Sequence, residues 1–278
     1  MAENSGISWT NHTFNPWVGC TKVGPGCDHC YAETWNTRFS PDGQPPNWGP
    51  GAPRRRTSPA NWSKARRWNR DGKTSGVFPW VFCASLADVF DNEASKRDRD
   101  DLWALVRETP FLRWQFLTKR IGNANGMLPA DWAENFRHCG IVATTVTQQE
   151  CDRDLPKLQR LKRTHGIAWV GLSIEPQLER VIPKTNFGAR LDWVITGGES
   201  AQGGQEARAY DPDWARALID AGHDDGFAVF VKQMGSNPVE LDLKDRSGSD
   251  PAEWPEDLRV RQYPAWSVQT LNDSNAVI

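Results

Sequence analysis

Gly140-Ile-Val-Ala-Thr-Thr-Val-Thr147, running directly into the charged stretch Gln148 to Thr164, decides the fold class. The first part is a short apolar, β-branched run without polar alternation, as expected of a strand covered on both faces. The second places Leu155, Leu158 and Leu161 three apart, along one face of a helix. A buried strand feeding an amphipathic helix is the repeating unit of a parallel sheet covered by helices. The unit recurs outward in both directions. Val77-Phe-Pro-Trp-Val-Phe-Cys-Ala84 precedes a helical pattern from Glu93 to Glu108 carried by Leu102, Leu105 and Val106. Trp114 to Thr118, Ile167 to Ser173, Leu191 to Thr196 and Phe227 to Val231 read as further strands, with Ser8 to Phe14 as the first. Asp211 as N-cap and Pro212 at the first helical position open a helix towards Ala221. The pattern predicts a single α/β domain over residues 1–278: a partial (β/α) barrel of about six to seven parallel strands, or an open doubly wound sheet.

In either fold, ligands collect at the C-terminal ends of the strands. Reading each strand to its polar end nominates Ser85 and Asp88, then Lys119 and Arg120, Thr145 and Thr147, Ser173 and Glu175. Gly197-Gly198-Glu199-Ser200 and Lys232-Gln233 complete the set. Glu175 and Glu199 are carboxylates suited to ribose hydroxyls or an amine, or to pairing with a nearby arginine. Lys119, Arg120 and Arg208 suit a carboxylate or phosphate.

A formal charge of −2 gives no global field towards nucleic acid or membrane. No apolar run of about 20 residues and no signal pattern is visible, so a cytoplasmic protein without membrane contact is expected. Six cysteines are too sparse for a disulfide framework. Cys83, Cys139 and Cys151 are isolated, and Cys83 reads as core. Of fifteen tryptophans, Trp80, Trp103, Trp114, Trp169, Trp193 and Trp214 fall in apolar patterns and are expected in the core. Residues 40–76 read as a proline- and glycine-rich insertion. There Trp48, Trp62 and Trp68 interleave with Arg54, Arg55, Arg56, Lys64, Arg66, Arg67 and Arg70. That segment is either a solvated surface loop or a nucleic-acid groove in which arginines meet phosphates and tryptophans stack on bases. Residues 236–278 read as a polar extension packed over the domain, with disordered ends.

The densest chemistry lies in Gly19-Cys-Thr-Lys-Val-Gly-Pro-Gly-Cys-Asp-His-Cys-Tyr31, where Cys20, Cys27 and Cys30 share one flexible loop. Three thiolates leave one position of a tetrahedral metal or cubane cluster open, the arrangement of a reactive site more than of a closed structural one. Zinc with His29 or His12 as fourth ligand, three structural thiols, and an iron–sulfur cluster are the alternatives.

Asn15-Pro-Trp-Val-Gly-Cys20 and Gly26-Cys-Asp-His-Cys-Tyr-Ala32 resemble the cluster loop of radical S-adenosylmethionine enzymes, spore photoproduct lyases most closely. Ser85-Leu-Ala-Asp88, Leu117-Thr-Lys-Arg120, Leu172-Ser-Ile-Glu175-Pro, Trp193 to Ser200, Ala207-Arg208 and Phe230-Val-Lys-Gln233 extend a resemblance over about residues 8–264. It is to a phage- and prophage-borne family known for a three-cysteine motif. The first cysteine gap is longer here than is usual for radical enzymes. The resemblance implies a [4Fe–4S] cluster on Cys20, Cys27 and Cys30, with S-adenosylmethionine on the open iron and an external electron donor. Radical enzymes often hold the cofactor's amino group with a Gly-Gly-Glu segment after the second strand; here Gly197-Gly198-Glu199 falls at a late strand, and Ser85 and Asp88 occupy the second-strand end instead. Lys119, Ser173, Glu175, Glu199 and Arg208 stay candidate cofactor contacts by their strand-end positions alone. The basic insertion together with the photoproduct-lyase likeness suggests a nucleotide or nucleic-acid substrate. The contrasting expectation is a zinc-binding nucleic-acid module without catalysis.

Overall fold

A computed structural model describes residues 2–38, 47–184, 189–202 and 204–264. In chain order the elements are β1 (His12–Phe14), β2 (Trp17–Val18), α1 (Tyr31–Arg38), β3 (Arg55–Arg56), α2 (Pro59–Ser75), β4 (Trp80–Cys83), α3 (Lys96–Arg107) and β5 (Arg113–Thr118). Then follow α4 (Ile121–Ala124), α5 (Trp132–Asn135), β6 (Cys139–Thr144), α6 (Gln148–His165), β7 (Trp169–Ile174), β8 (Trp193–Gly197), α7 (Pro212–Asp225) and β9 (Ala228–Gln233). Seven strands form a parallel sheet in the order β1-β4-β5-β6-β7-β8-β9, flanked by helices: a partial (β/α) barrel, as the strand–helix alternation predicts. β2 and β3 form a separate antiparallel pair, Trp17 opposite Arg56. The chain divides into two compact units, Met1–Val142 with His165–Ile167, and Ala143–Thr164 with Ala168–Ile278.

In the first unit, β4 is buried at every position, the burial a parallel strand requires. Trp114 and Phe116 leave β5 on one face and stack 6.1 Å apart. Trp103 of α3 meets Phe116 edge-on at 5.2 Å, and Trp132 and Phe136 stack at 4.7 Å. The Ser95 hydroxyl caps α3 by accepting from Asp98 N.

The insertion is the main correction to the sequence reading. Residues 59–75 form α2, the helix connecting β1 to β4, which starts with Pro59 and ends at Gly76 in the left-handed region (φ 71°). Trp62, Ala65, Trp68 and Gly72 share its inner face. Trp68 stacks on His12 at 4.2 Å, and Trp62 meets Phe14 edge-on at 5.5 Å. Both indoles are buried and closed to stacking on bases; Trp48 is half-buried. Residues 40–46 of the expected insertion lie outside the described residues.

In the second unit, α7 begins as its caps predict: Asp211 accepts from Asp213 N at 2.9 Å, and Gly226 (φ 76°) closes the far end. Trp169 and Trp193 are fully buried, whereas Trp214 is only half-buried, against Tyr210. The expected polar extension does pack on its domain. Val231 N donates to Val260 O at 2.8 Å and Gln262 N to Val229 O at 2.9 Å, so the segment pairs along the open edge of β9. Trp254 and Leu258 anchor it in the core. Residues 265–278, where disordered ends are expected, lie outside the described residues. No described helix is long and apolar enough to cross a membrane.

One pH dependence follows from the packing of β6. His138 donates from Nε2 to the Val106 carbonyl at 3.0 Å. Burial, only partly offset by that bond, pushes its pKa down from the ordinary 6.5 to about 4. With the folded value depressed, the unfolded chain binds more protons between those values. The neutral form's stabilisation is therefore complete above about pH 6.5 and is lost as pH falls towards 4. Urea unfolding at pH 7 and pH 4.5 is expected to show wild type losing about 2 kcal/mol more than His138→Gln, which stays neutral throughout. Equal losses in the two proteins would remove His138 from the acid response.

Candidate functional site

The cysteine loop is anchored at its entrance by a glycine. Gly19 sits at φ 126°, and a Cβ there would lie 2.3 Å from the Asn47 carbonyl oxygen. Gly19 N donates to Leu86 O at 3.0 Å, and Gly49 N donates to Cys20 O at 2.9 Å. Cys20 is thus fixed between the segment following β4 and the strip at 47–49. Cys27 is buried at the end of a single 3-10 turn, Pro25–Cys27. Cys30 immediately precedes α1 and packs against Val18, Ala32 and Leu86.

Burial pushes the Cys20 thiol up to about 11, opposed by the Arg120 guanidinium beside it. Burial likewise raises Cys30, against the amides of Glu33 and Ala32 and the charge of Lys119. Burial thus disfavours the thiolate form of both. Metal binding requires thiolates. Among the described residues no three His, Cys, Asp or Glu side chains are placed to hold one metal ion, so the expected ligand trio is not gathered around one point. By residue type the loop offers soft donors, but as placed in this structure they do not form a cluster site. It carries three sulfurs, a Gly24-Pro25-Gly26 stretch between the first two, and a fixed cation against the first.

Around Cys20 the nominated residues of the first unit do come together. Asp88 accepts from Phe90 N (2.9 Å), Thr118 Oγ1 (2.8 Å), Lys119 N (3.0 Å) and Arg120 Nη1 (3.3 Å). Its carboxylate is taken up by these donors, so Asp88 is a bracket for Thr118 and Arg120 instead of the open acceptor expected for a cofactor amine. Ser85 Oγ accepts from Asn15 Nδ2 at 2.9 Å, and the Ser85 carbonyl accepts from the Tyr31 hydroxyl. Asn15 Oδ1 also accepts from Leu86 N at 2.7 Å, so the residue that leads into the cysteine loop fixes the end of β4.

Arg120 is not the solvated residue that a Lys-Arg pair after a strand usually provides. Its side chain is 10% exposed. Nη1 donates to Cys20 Sγ at 3.3 Å and Nη2 to Thr21 O at 2.7 Å. Arg54, read from sequence as a phosphate contact, is also internal. It pairs with Asp91 at 2.8 Å, reaches Thr21 Oγ1 at 2.7 Å, and contacts Glu93. Arg56 pairs with Asp98 and Asp101, Arg66 with Glu108, and Arg67 with Glu3. Most of the basic segment is therefore neutralised within the fold.

The second unit carries its own constellation at the ends of β7, β8 and β9. Ser173 is buried in β7, and its carbonyl accepts from Thr145 N at 3.1 Å. Glu175 pairs with Lys232 at 2.9 Å. Glu199 holds Arg208 through both oxygens, at 2.6 Å from Nη2 and 3.0 Å from Nε, so each acid has its own base. Gln233 Nε2 donates to Gly198 O and Ser200 Oγ. Gly198 has a backbone reason: a Cβ would lie 2.3 Å from Met234 O, just past the paired ends of β8 and β9. Sequence reasoning found these residues and allowed the acids an arginine partner, but did not specify the pairs: Glu175 and Lys232 are distant in the chain, and Glu199 and Arg208 are joined by a turn with no distinctive pattern.

The model of the family described as "Protein of unknown function (DUF5131)" matches residues 4–258, and the chain belongs to that family. No curated protein and no solved structure matches it.

Proposed function

For this member of the DUF5131 family, we propose a radical S-adenosylmethionine enzyme whose [4Fe–4S] cluster is held by Cys20, Cys27 and Cys30. The observation that carries the reading is a loop with three cysteines following β1, with Arg120 fixed against the first sulfur. When bound, such a cluster with S-adenosylmethionine supplies reductive cleavage of the sulfonium to a 5′-deoxyadenosyl radical. The chain's own residues bind and orient. The three cysteines would have to be drawn together to take the irons as thiolates, and Asp88 fixes Arg120 and Thr118. Ser85, held by Asn15 and Tyr31, offers a hydroxyl at the end of β4 for the cofactor's amino group. Lys119, near Cys30, suits the cofactor carboxylate. Ser173 and the Glu175–Lys232 and Glu199–Arg208 pairs lie in the second unit and are assigned no role at the cluster. A nucleotide or nucleic acid is the proposed substrate class, supported by the exposed Arg55 and Arg70.

Anaerobic reconstitution tests this. A brown protein with roughly four irons per chain is expected. Dithionite with S-adenosylmethionine should then release 5′-deoxyadenosine. A colourless protein with one zinc would replace the reading by a zinc module, and a loaded protein that leaves the cofactor intact would make it an inactive relative.

A further inference from the structure

We propose that the outer face of α1, which carries Tyr31 and Trp35 with Arg38 beyond them, is a stacking platform for a single-stranded nucleic acid. The platform belongs to the nucleic-acid reading above and needs no metal. α1 is built inside out. Its buried residues are Ala32 and Asn36, whereas Tyr31 and Trp35 stand in solvent at 42% and 38% exposure. A surface helix ordinarily turns its large apolar side chains inward, and each ring left in water forgoes the gain of burial. Exposed aromatics side by side mark a contact surface. Trp35 is the one exposed tryptophan among the described residues; Trp48, Trp62 and Trp68, which the sequence nominates for stacking, are half-buried or buried.

Four positions apart on one flank of a helix, the two rings are offset by about 6 Å along its axis. That is nearly twice the step of about 3.4 Å in a stacked duplex, so the spacing suits splayed bases of one strand. The platform is also held in place. The Tyr31 hydroxyl donates to the Ser85 carbonyl, and Asn36 Oδ1 accepts from Asn47 N at 3.1 Å. Side chains ordered beforehand lose little entropy on binding. Charge selects the partner. Glu33 is cancelled by Lys22 at 2.9 Å. Arg38 is exposed in the last turn, and the exposed Arg55 reaches Asn47 Oδ1 at 3.4 Å, next to the Asn36 contact. Two arginines beside two aromatic rings match a phosphate backbone with unpaired bases. An apolar protein face would leave both cations without partners.

The metal-free full chain, titrated at low salt with a fluorescein-labelled oligothymidylate and read by anisotropy, tests this. Trp35→Ala is expected to bind about tenfold more weakly with an unchanged urea midpoint, because the ring is exposed. Trp35→Phe keeps a stacking face and is expected to recover most of the loss. Arg38→Ala should reduce the salt slope by about one, whereas Trp35→Ala should leave it unchanged. If Trp35→Ala binds as tightly as wild type, the platform is overturned while the nucleic-acid reading survives on another face. If wild type does not bind the oligonucleotide, both fail. If Trp35→Ala abolishes self-association of the chain and spares oligonucleotide binding, the face belongs to a second copy, which also overturns the platform.

Discussion

Cys30→Ala is expected to abolish iron loading and 5′-deoxyadenosine release while leaving the apo chain folded almost as wild type. The asymmetry comes from where Cys30 sits. Its side chain is half-buried at the threshold of α1, beside Val18, Ala32 and Leu86. Alanine is tolerated next to a helix start and forfeits a single sulfur's packing, about 1 kcal/mol at most. A cubane held by three thiolates, however, loses a corner and is left with two protein ligands. Cys83→Ala is the matched control. Cys83 is fully buried in β4, so its loss should cost stability of similar or greater size and leave iron content unchanged. Iron per chain and urea midpoints of both variants, measured together, separate a ligand from a core thiol. If Cys30→Ala loads four irons as wild type does, the trio is not the ligand set.

The same comparison explains what the sequence discloses and what it hides. Continuous apolar runs identify β4 to β9 because a parallel strand buried on both faces leaves no other composition available. Asp211 and Pro212 identify the start of α7 by their capping chemistry, while its end, expected at Ala221, runs on to Gly226. α2 escapes because the prolines, glycines and arginines of residues 40–76 dominate the composition, although Trp62, Ala65, Trp68 and Gly72 keep helical spacing. The cysteine motif is legible as a motif, but Arg120 reaches Cys20 across 100 positions, and no local pattern encodes that meeting. Glu199 and Arg208 are only nine positions apart, yet nothing in the intervening turn announces their bidentate pairing. Residue types at strand ends predict where charge gathers. Which charge cancels which is decided by packing.

Trp68→Ala supplies the second large effect, and its sign separates a core residue from a base-stacking one. Trp68 is 2% exposed, with its ring 4.2 Å from His12 and tilted from it by only 16°. Truncation removes most of the contact between α2 and β1 at that level, and the expected cost is about 3–5 kcal/mol in urea unfolding. Trp62→Ala, at the Phe14 contact, is expected to behave alike. Neither change should alter how any binding of single-stranded DNA depends on salt, provided the variants are assayed below their unfolding midpoints. The surface arginines predict the reverse. Arg55→Ala and Arg70→Ala should change stability by less than about 0.5 kcal/mol. Each would reduce the salt slope by about one if it meets a phosphate. A Trp68→Ala protein as stable as wild type but weakened in nucleic-acid binding would return that indole to the surface and reopen the groove. The buried stack on His12 argues for the other outcome, because a ring already covered by a strand has no face left to offer a base.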